Sequence, residues 1–411
     1  MTYSRYGDDT VGTMSDLLDR SNGSGPGPMG PADVLGFDPN DPEFLREPYA
    51  RYREMSAHGA IFRTRAGLIV ATTHELCGAI LRDPRFGHGS DPLYGRDPGQ
   101  PVESFLWMDP PDHTRLRGLV SKAFTSRMVE RLRPRIEAIT AELIGALPEE
   151  ADLVSGFAYP LPVMVITEML GVPPEDHERF SGWSEILARS LDPMLTDELI
   201  SETGRARREF RDYFRDLIAI RRARPGEDFL SALARVEGLT EPELLATCVL
   251  LLVAGHETTV NLIANGILHL AGHGLLRQAA ERPRQVVEEV LRYDPPVQLT
   301  SRIALEDTEL GGTRVPKGTP VLGLIGAANR DPAVFPDPDR FDVTRDPGRH
   351  LAFGLGIHFC LGATLARLEG EIALAALAGA APGLELTDPA PPYKSNLVLR
   401  GLESLPARLR R

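Results

Sequence analysis

The chain has 411 residues, 42% hydrophobic and 25% charged, with a formal net charge of −13. That supplies ample material for a large core, and the acidic balance argues against nucleic acid, whose phosphates need clustered cations. Cys77, Cys248 and Cys360 lie far apart with no C-x-x-C pair, which argues against a disulfide framework or a clustered zinc site and fits a reducing compartment.

The first residues, MTYSRYGDDTVGT, lack a basic start followed by an apolar run, so no secretory signal is expected. The segment SNGSGPGPMGPA (21–32) is too rich in Gly, Pro and Ser to pack. Residues 1–32 therefore read as a disordered tail and 33–411 as one domain, with ordered structure starting near Asp41-Pro42-Glu43. A helix is expected over 49–56, then short alternating strands at 61–65 and 67–71. The stretch 86–108, full of Gly, Asp and Pro, reads as a long functional loop. From 111 to 273 the apolar spacing is almost entirely helical, with breaks at Gly171-Val172-Pro173-Pro174 and Arg224-Pro225-Gly226. Within it, residues 113–135 carry Arg115, Arg117, Lys122, Arg127, Arg131, Arg133 and Arg135 against Glu130 alone. That basic face is either a solvated helix surface or a docking patch.

Thr240-Glu241-Pro242-Glu243 reads as a capping box that opens a helix running to about residue 270, ~45 Å at 1.5 Å per residue. A helix so long and apolar must run through the middle of the protein. Its apolar run, 244–255, is shorter than the ~20 residues of a membrane span, and His256 and Glu257 close it. A cytoplasmic protein without a membrane segment is expected. Near the helix midpoint stands Ala254-Gly255-His256-Glu257-Thr258-Thr259. Glycine and unpaired polar groups are unfavourable there. The run is either a kink whose glutamate and threonine satisfy each other, or a widened turn that holds a hydroxyl and water beside a ligand while a carboxylate relays protons.

After residue 289 short strands are expected at 297–303 and 320–325, followed by a proline-studded loop at 335–342. No internal repeat is visible. FGLGIHFCLG (353–362) then runs directly into ATLARLEGEIALAAL, which has helical spacing. Cys360 thus sits where a tight loop becomes a helix, whose free N–H groups and positive dipole end favour a thiolate. Gly354, Gly356 and Gly362 let the backbone turn closely around the sulfur and leave room for something flat and large. A single thiolate in that setting suggests an axial ligand to haem iron. The whole reads as mainly α with a smaller β portion.

Phe353-x-x-Gly356-x-x-x-Cys360-x-Gly362 resembles the haem-binding loop of the cytochrome P-450 monooxygenases, AGHETT (254–259) resembles their oxygen-activation segment, and Glu289-Val290-Leu291-Arg292 resembles their E-x-x-R motif. The wording is closest to soluble actinobacterial members of natural-product pathways, and the resemblance covers nearly everything after the tail. One departure is the segment 272–289, a few residues shorter than usual. The resemblance implies a triangular prism of helices with a long central helix over haem b. It also implies a monooxygenase that uses O2 and two electrons from a ferredoxin and its reductase, since no flavin or iron–sulfur motif is present.

Carried over by position, Cys360 ligates the iron, Glu257 is the acid and Thr258 the alcohol, and Ala254 and Gly255 leave room for dioxygen. His113 and Arg117, within MDPPDHTRLR (108–117), hold the haem propionates together with Arg302 and His358. Phe353, Gly354 and Gly362 pack around the cofactor. Glu289, Arg292 and Arg340 clamp the fold, and His256 lines a water channel or pairs with another helix. The pocket is expected from Leu106, Trp107, Leu250, Val253, Val297, Thr300, Leu397 and Val398. Their apolar character implies a bulky secondary metabolite such as a polyketide or macrolide, hydroxylated or epoxidised in antibiotic biosynthesis. The basic face would dock the acidic ferredoxin. The alternative is a haem protein of this type without turnover, a sensor or an accessory to another biosynthetic enzyme; Cys360, Glu257 and Thr258 together favour catalysis.

Overall fold

The computed structural model describes residues 35–89, 104–189, 197–346 and 348–410. The expected tail at 1–32 and most of the expected loop at 86–108 lie outside them. The chain is packed earlier than the expected start near Asp41, because Leu35 and Phe37 are already buried. They fill a cluster with Phe44, Tyr49, Tyr52 and Met55 from helices α1 (Pro42–Arg46) and α2 (Pro48–His58). Proline opens both helices, where a missing N–H leaves no bond unmade.

Strands β1 (Ile61–Arg63) and β2 (Ile69–Ala71) pair antiparallel within the two segments expected for them. They form one edge of a five-stranded sheet ordered β1-β2-β8-β5-β3, with β3 at Phe86–Gly87, β5 at Leu299–Ala304 and β8 at Pro320–Leu324. Only β2 and β8 run parallel. Helix α3 (His74–Arg82) links β2 to β3. The first two residues of the expected loop are therefore sheet: Phe86 and Gly87 pair with Ala304 and Ile303. Strands β4 (Glu150–Asp152), β9 (Glu385–Leu386) and β10 (Pro406–Arg408) form a second sheet, and β6 (Thr308–Leu310) with β7 (Thr313–Val315) forms a hairpin.

The rest is helical: α4 (Asp112–Ala123), α5 (Ser126–Ala146), α6 (Pro160–Met169), α7 (His177–Arg189), α8 (Asp197–Ala223), α9 (Phe229–Ala234), α10 (Glu241–Gly272), α11 (Leu276–Glu281), α12 (Pro283–Tyr293), α13 (Ile325–Ala328) and α14 (Ala363–Ala380). The capping box forms as expected: the Glu243 N–H donates to Thr240 Oγ1 at 3.4 Å, and the Thr240 N–H donates to the Glu243 carboxylate at 2.9 Å. Helix α10 is long and apolar enough to cross a membrane. It packs instead against α6, α7, α8, α12 and α14 and is buried over most of its length, the environment of a core helix. The segment 272–289, expected to be a few residues short, builds α11 and the start of α12 with only Arg282 between them, and Leu276 and Ala279 enter the main core.

The end of α12 is tied to three other parts of the chain through Asp294, which is 1% exposed. Its carboxylate accepts from Tyr49 Oη at 2.6 Å, Arg400 Nε at 2.7 Å and His269 Nε2 at 2.9 Å. Burial works to raise this carboxyl, but the charge of Arg400 and the bonds from His269 and Tyr49 outweigh it and hold it well below the usual range. A depressed carboxyl stabilises the fold above its unfolded pKa, about 3.9, and loses that contribution as pH falls toward the folded value. Asp294→Asn should therefore lower stability by about 3–5 kcal/mol at neutral pH, because Arg400 is left buried and uncompensated. Thermal melts should show the deficit undiminished down to about pH 5 and narrowing below about pH 4.

Candidate active site

Cys360 closes a loop folded against the end of α3. Gly356 has φ +69°, and a Cβ there would stand 2.5 Å from the Leu81 carbonyl oxygen, so the close approach needs glycine. The Cys360 N–H donates to the Phe353 carbonyl at 2.9 Å. Gly362 precedes α14, and its N–H with that of Ala363 favours the anionic form of the sulfur. Burial pushes the thiol up, and the pull of the Gly362 N–H, Arg117, Arg367 and the Ala363 N–H does not cancel it. The helix-terminus effect expected from the sequence is present but outweighed. An anionic sulfur here needs one more positive partner, and a metal cation is of that kind.

Beside this loop lies a cluster of imidazoles. His113 of α4 and His358 have ring centroids 4.2 Å apart, and none of their ring nitrogens has a hydrogen-bond partner among the described residues. Arg117 donates to the Phe359 carbonyl, and Arg302 of β5 donates to the Ser301 carbonyl at 2.7 Å and to Thr300 Oγ1 at 3.0 Å. Burial drives His358 down to about 2, with Arg302, His88 and His113 adding to it; burial and Arg117 likewise lower His113. Donors that keep one another neutral and leave buried ring nitrogens unmet form a site that an anion would complete. All four residues expected to hold propionates are thus brought together. The sequence reading missed His88, whose ring is 4.9 Å from His358 and 5.4 Å from Trp107. A lone histidine among glycines, with no periodicity, gave no signal; its place is fixed by Asp109, which accepts from the His88 and Gly89 N–H groups at 2.9 and 2.7 Å.

On α10 residues 254–259 are continuous α-helix, without a widened turn. Thr258 Oγ1 donates to the Ala254 carbonyl at 2.9 Å, and Thr259 Oγ1 to that of Gly255 at 3.4 Å, so the hydroxyls are satisfied within the helix. Ala254 is exposed and Gly255 and Thr258 half-exposed, while His256, Glu257 and Thr259 are buried. Of the two roles expected for His256, the structure shows the pairing with another helix: it meets Ser184 Oγ of α7 at 2.8 Å, and burial lowers its pKa, keeping it neutral. Glu257 is gripped by Lys394 Nζ at 2.7 Å. No motif or spacing pointed to that lysine, which lies 137 positions away.

Residues 283–378 match the cytochrome P-450 family model. The chain is 41% identical over 403 residues to the cytochrome P-450 monooxygenase PikC of Streptomyces venezuelae, covering 92% of this chain and 95% of that one. This chain belongs to the cytochrome P-450 family. It is also 47% identical over 315 residues to 6-deoxyerythronolide B hydroxylase of Saccharopolyspora erythraea, 73% of this chain and 76% of that one. Among solved structures, CYP164A2 of Mycobacterium smegmatis superposes with a TM-score of 0.84 at 46% identity, over 90% of this chain and 98% of that one. Cytochrome P-450 members bind haem b through a cysteine thiolate and act on O2 with electrons from a redox partner. The mainly α fold expected from the sequence is the cytochrome P-450 fold.

Other expected cytochrome P-450 features divide. Glu289 and Arg292 form a buried ion pair at 2.8 Å. Arg340 does not clamp it: its guanidinium is 69% exposed and lies 3.7 Å from Asp342, so only its carbonyl, accepting from Arg292, takes part. The side chain that reaches Glu289 is Arg345, at 3.5 Å. Leu106, Trp107, Leu250, Val297, Thr300 and Val398 are half-buried, as pocket residues would be, and Val297 bridges to Leu399. Val253 is buried in the main core, and Leu397 is buried in the N-terminal cluster with Leu35 and Leu299. The basic face is largely neutralised. Arg115 pairs with Glu243, Arg131 with Glu227, Arg133 with Glu130 and Arg135 with Glu168, while Lys122 and Arg127 make no ion pair among the described residues. Gly356→Ala should sharply reduce haem retained per protein, because the added Cβ both meets Leu81 and forces a left-handed φ that costs about 1–2 kcal/mol. The haem-to-protein absorbance ratio of the purified variant measures it.

Proposed function

We propose that this chain is a monooxygenase in which Cys360 is the thiolate ligand and a bulky, mostly apolar secondary metabolite of the polyketide or macrolide kind is hydroxylated. The observation that carries the assignment is the contrast among its cysteines. Cys77 and Cys248 are wholly buried, and burial raises the Cys77 thiol to about 12 and that of Cys248 further. Cys360 is half-buried, faces two arginines and two N–H groups, and neighbours the unmet imidazoles of His113 and His358. A soft ligand beside an anion site suits an iron porphyrin with two carboxylates.

When bound, the haem iron supplies the oxidising power to place one oxygen atom of O2 in a C–H bond while the other leaves as water. The chain supplies the rest. His113, Arg117, Arg302 and His358 would hold the propionates, and Phe353 would shield the sulfur from water. Ala254 and Gly255 would leave room on α10, Thr258 offers a hydroxyl beside them, and Glu257, paired at 2.7 Å with a lysine that is 32% exposed, would relay protons inward from solvent. The apolar half-buried Leu106, Leu250, Val297 and Val398, with the kinship to 6-deoxyerythronolide B hydroxylase, support the substrate class.

Electrons would come from a ferredoxin and its reductase in the cytoplasm, where free thiols persist. Ile357 and Phe359, 48% and 41% exposed, flank His358 and offer an apolar contact. Lys122 and Arg127, rather than the paired arginines, then supply the steering charge.

Two experiments test this reading. Reduced protein under carbon monoxide should show the long-wavelength Soret band of thiolate ligation, and Cys360→Ser should abolish it; a histidine-like band in the wild type refutes the assignment. The double substitution Lys122→Glu with Arg127→Glu should slow reduction by ferredoxin roughly tenfold at low salt and flatten its salt dependence, leaving the carbon monoxide band intact. An unchanged rate removes these two residues from docking.

A further inference from the structure

The proximal side of Cys360 carries a charge arrangement that the motifs above do not include. Arg367, on α14, lays its guanidinium 4.4 Å from the ring centroid of Phe353. Its Nε lies 2.5 Å and its Nη2 3.1 Å from the two carboxylate oxygens of Glu288 on α12, a two-pronged pair. His350 Nε2 lies 3.0 Å from the same carboxylate, and His350 Nδ1 accepts the Ala352 N–H at 3.3 Å, so Nε2 carries the proton and donates. Glu288 is nearly buried, with a side chain 7% exposed, and Arg367 is 29% exposed. The group therefore joins α12, the cysteine loop and the cysteine helix, and its formal charges cancel.

We propose that Glu288 and Arg367 are positioning residues that set the electron-richness of the Cys360 sulfur, and thereby the reduction potential of the iron it holds. This rests on the reading of Cys360 as the ligand. The Arg367 guanidinium lies over Phe353, whose carbonyl accepts the Cys360 N–H at 2.9 Å, so its charge stands against the cysteine loop; the bonds from His350 and Arg367 overcome burial to hold the Glu288 carboxyl at about 2, so that pair is ionised at neutral pH. A positive charge at this place draws electron density from the sulfur and favours the ferrous iron; a negative one does the reverse. Glu288 holds Arg367 in place and offsets its charge in the same contact.

The consequence is a pair of opposite shifts. Glu288→Gln leaves the guanidinium uncompensated and should raise the ferrous-to-ferric ratio at fixed poise about tenfold. Arg367→Gln leaves the carboxylate uncompensated and should lower it about tenfold. Each is a displacement of about 59 mV for one electron. Arg367→Lys, which keeps the charge, should stay near the wild type. Spectroelectrochemical titration of holoprotein reads all three without a substrate. Shifts in the same direction, or no shift in variants that keep the thiolate band, overturn the proposal. If Glu288→Gln yields no holoprotein, the Gln and Lys replacements of Arg367 decide alone: equal potentials overturn it. A wild type without the thiolate band overturns the assignment of Cys360 itself, a result that the carbon monoxide spectrum separates from the others.

Discussion

A thiol half-sunk in protein keeps its proton unless positive charge surrounds it, and the neighbourhood of Cys360 is organised around that difficulty. Two N–H groups at the start of α14 and two guanidiniums, Arg117 from α4 and Arg367 from α14, pull toward the anion, yet burial still wins in the protein alone. The balance is poised so that a bound cation decides it. With Cys360 as ligand, sulfur and cofactor would stabilise one another: the metal would favour the anionic sulfur, and the anionic sulfur would hold the metal.

The fold protects this arrangement from the proximal side. Gly356 presses the loop onto the Leu81 carbonyl near the end of α3, Glu288 pins α14 to α12, and Glu289 with Arg292 and Arg345 holds the loop that leads into the cysteine segment. Asp294, at the end of the same α12, fastens α2, α10 and the C-terminal segment. One eleven-residue helix and its capping Asp294 thus carry three polar anchors, all buried, where the penalty for breaking any of them is greatest. Ionic contacts at such burial add geometric definition, because each has few alternative partners.

Local chemistry was legible in the sequence wherever backbone and spacing alone determine it. Thr240 and Glu243 announced the capping box, the glycine–cysteine loop announced its turn into α14, and His113 with Arg117 at i and i+4 share one face of α4. Contacts made across the fold were not legible. Arg340 was expected where Arg345 stands, since five residues of irregular loop decide which guanidinium turns inward and no period governs them. Leu397 alternates with its neighbours on a short segment, and the packing of the distant N-terminal cluster chose its direction. The basic face looked free because its acidic partners, Glu168, Glu227 and Glu243, come from other elements. His88 was hidden by its glycine-rich setting.

The acid of α10 makes the same point about long-range assembly. Glu257 could have been held by a neighbouring helix, as His256 is by Ser184, but its charge partner comes from the C-terminal hairpin. There Tyr393 pairs with Leu402, and the Lys394 N–H donates to the Gly401 carbonyl at 2.9 Å. Gly401 lies so close to α10 that a Cβ would stand 1.8 Å from Asn261 Oδ1, so only glycine lets the hairpin seat there. Farther along, Leu399 bridges to Val297. One short segment therefore sets both the partner of the buried carboxylate and part of the apolar wall at Val297. Its registry with α10 depends on the absence of a single side chain, which makes the electrostatics of the acid a consequence of backbone packing at residue 401.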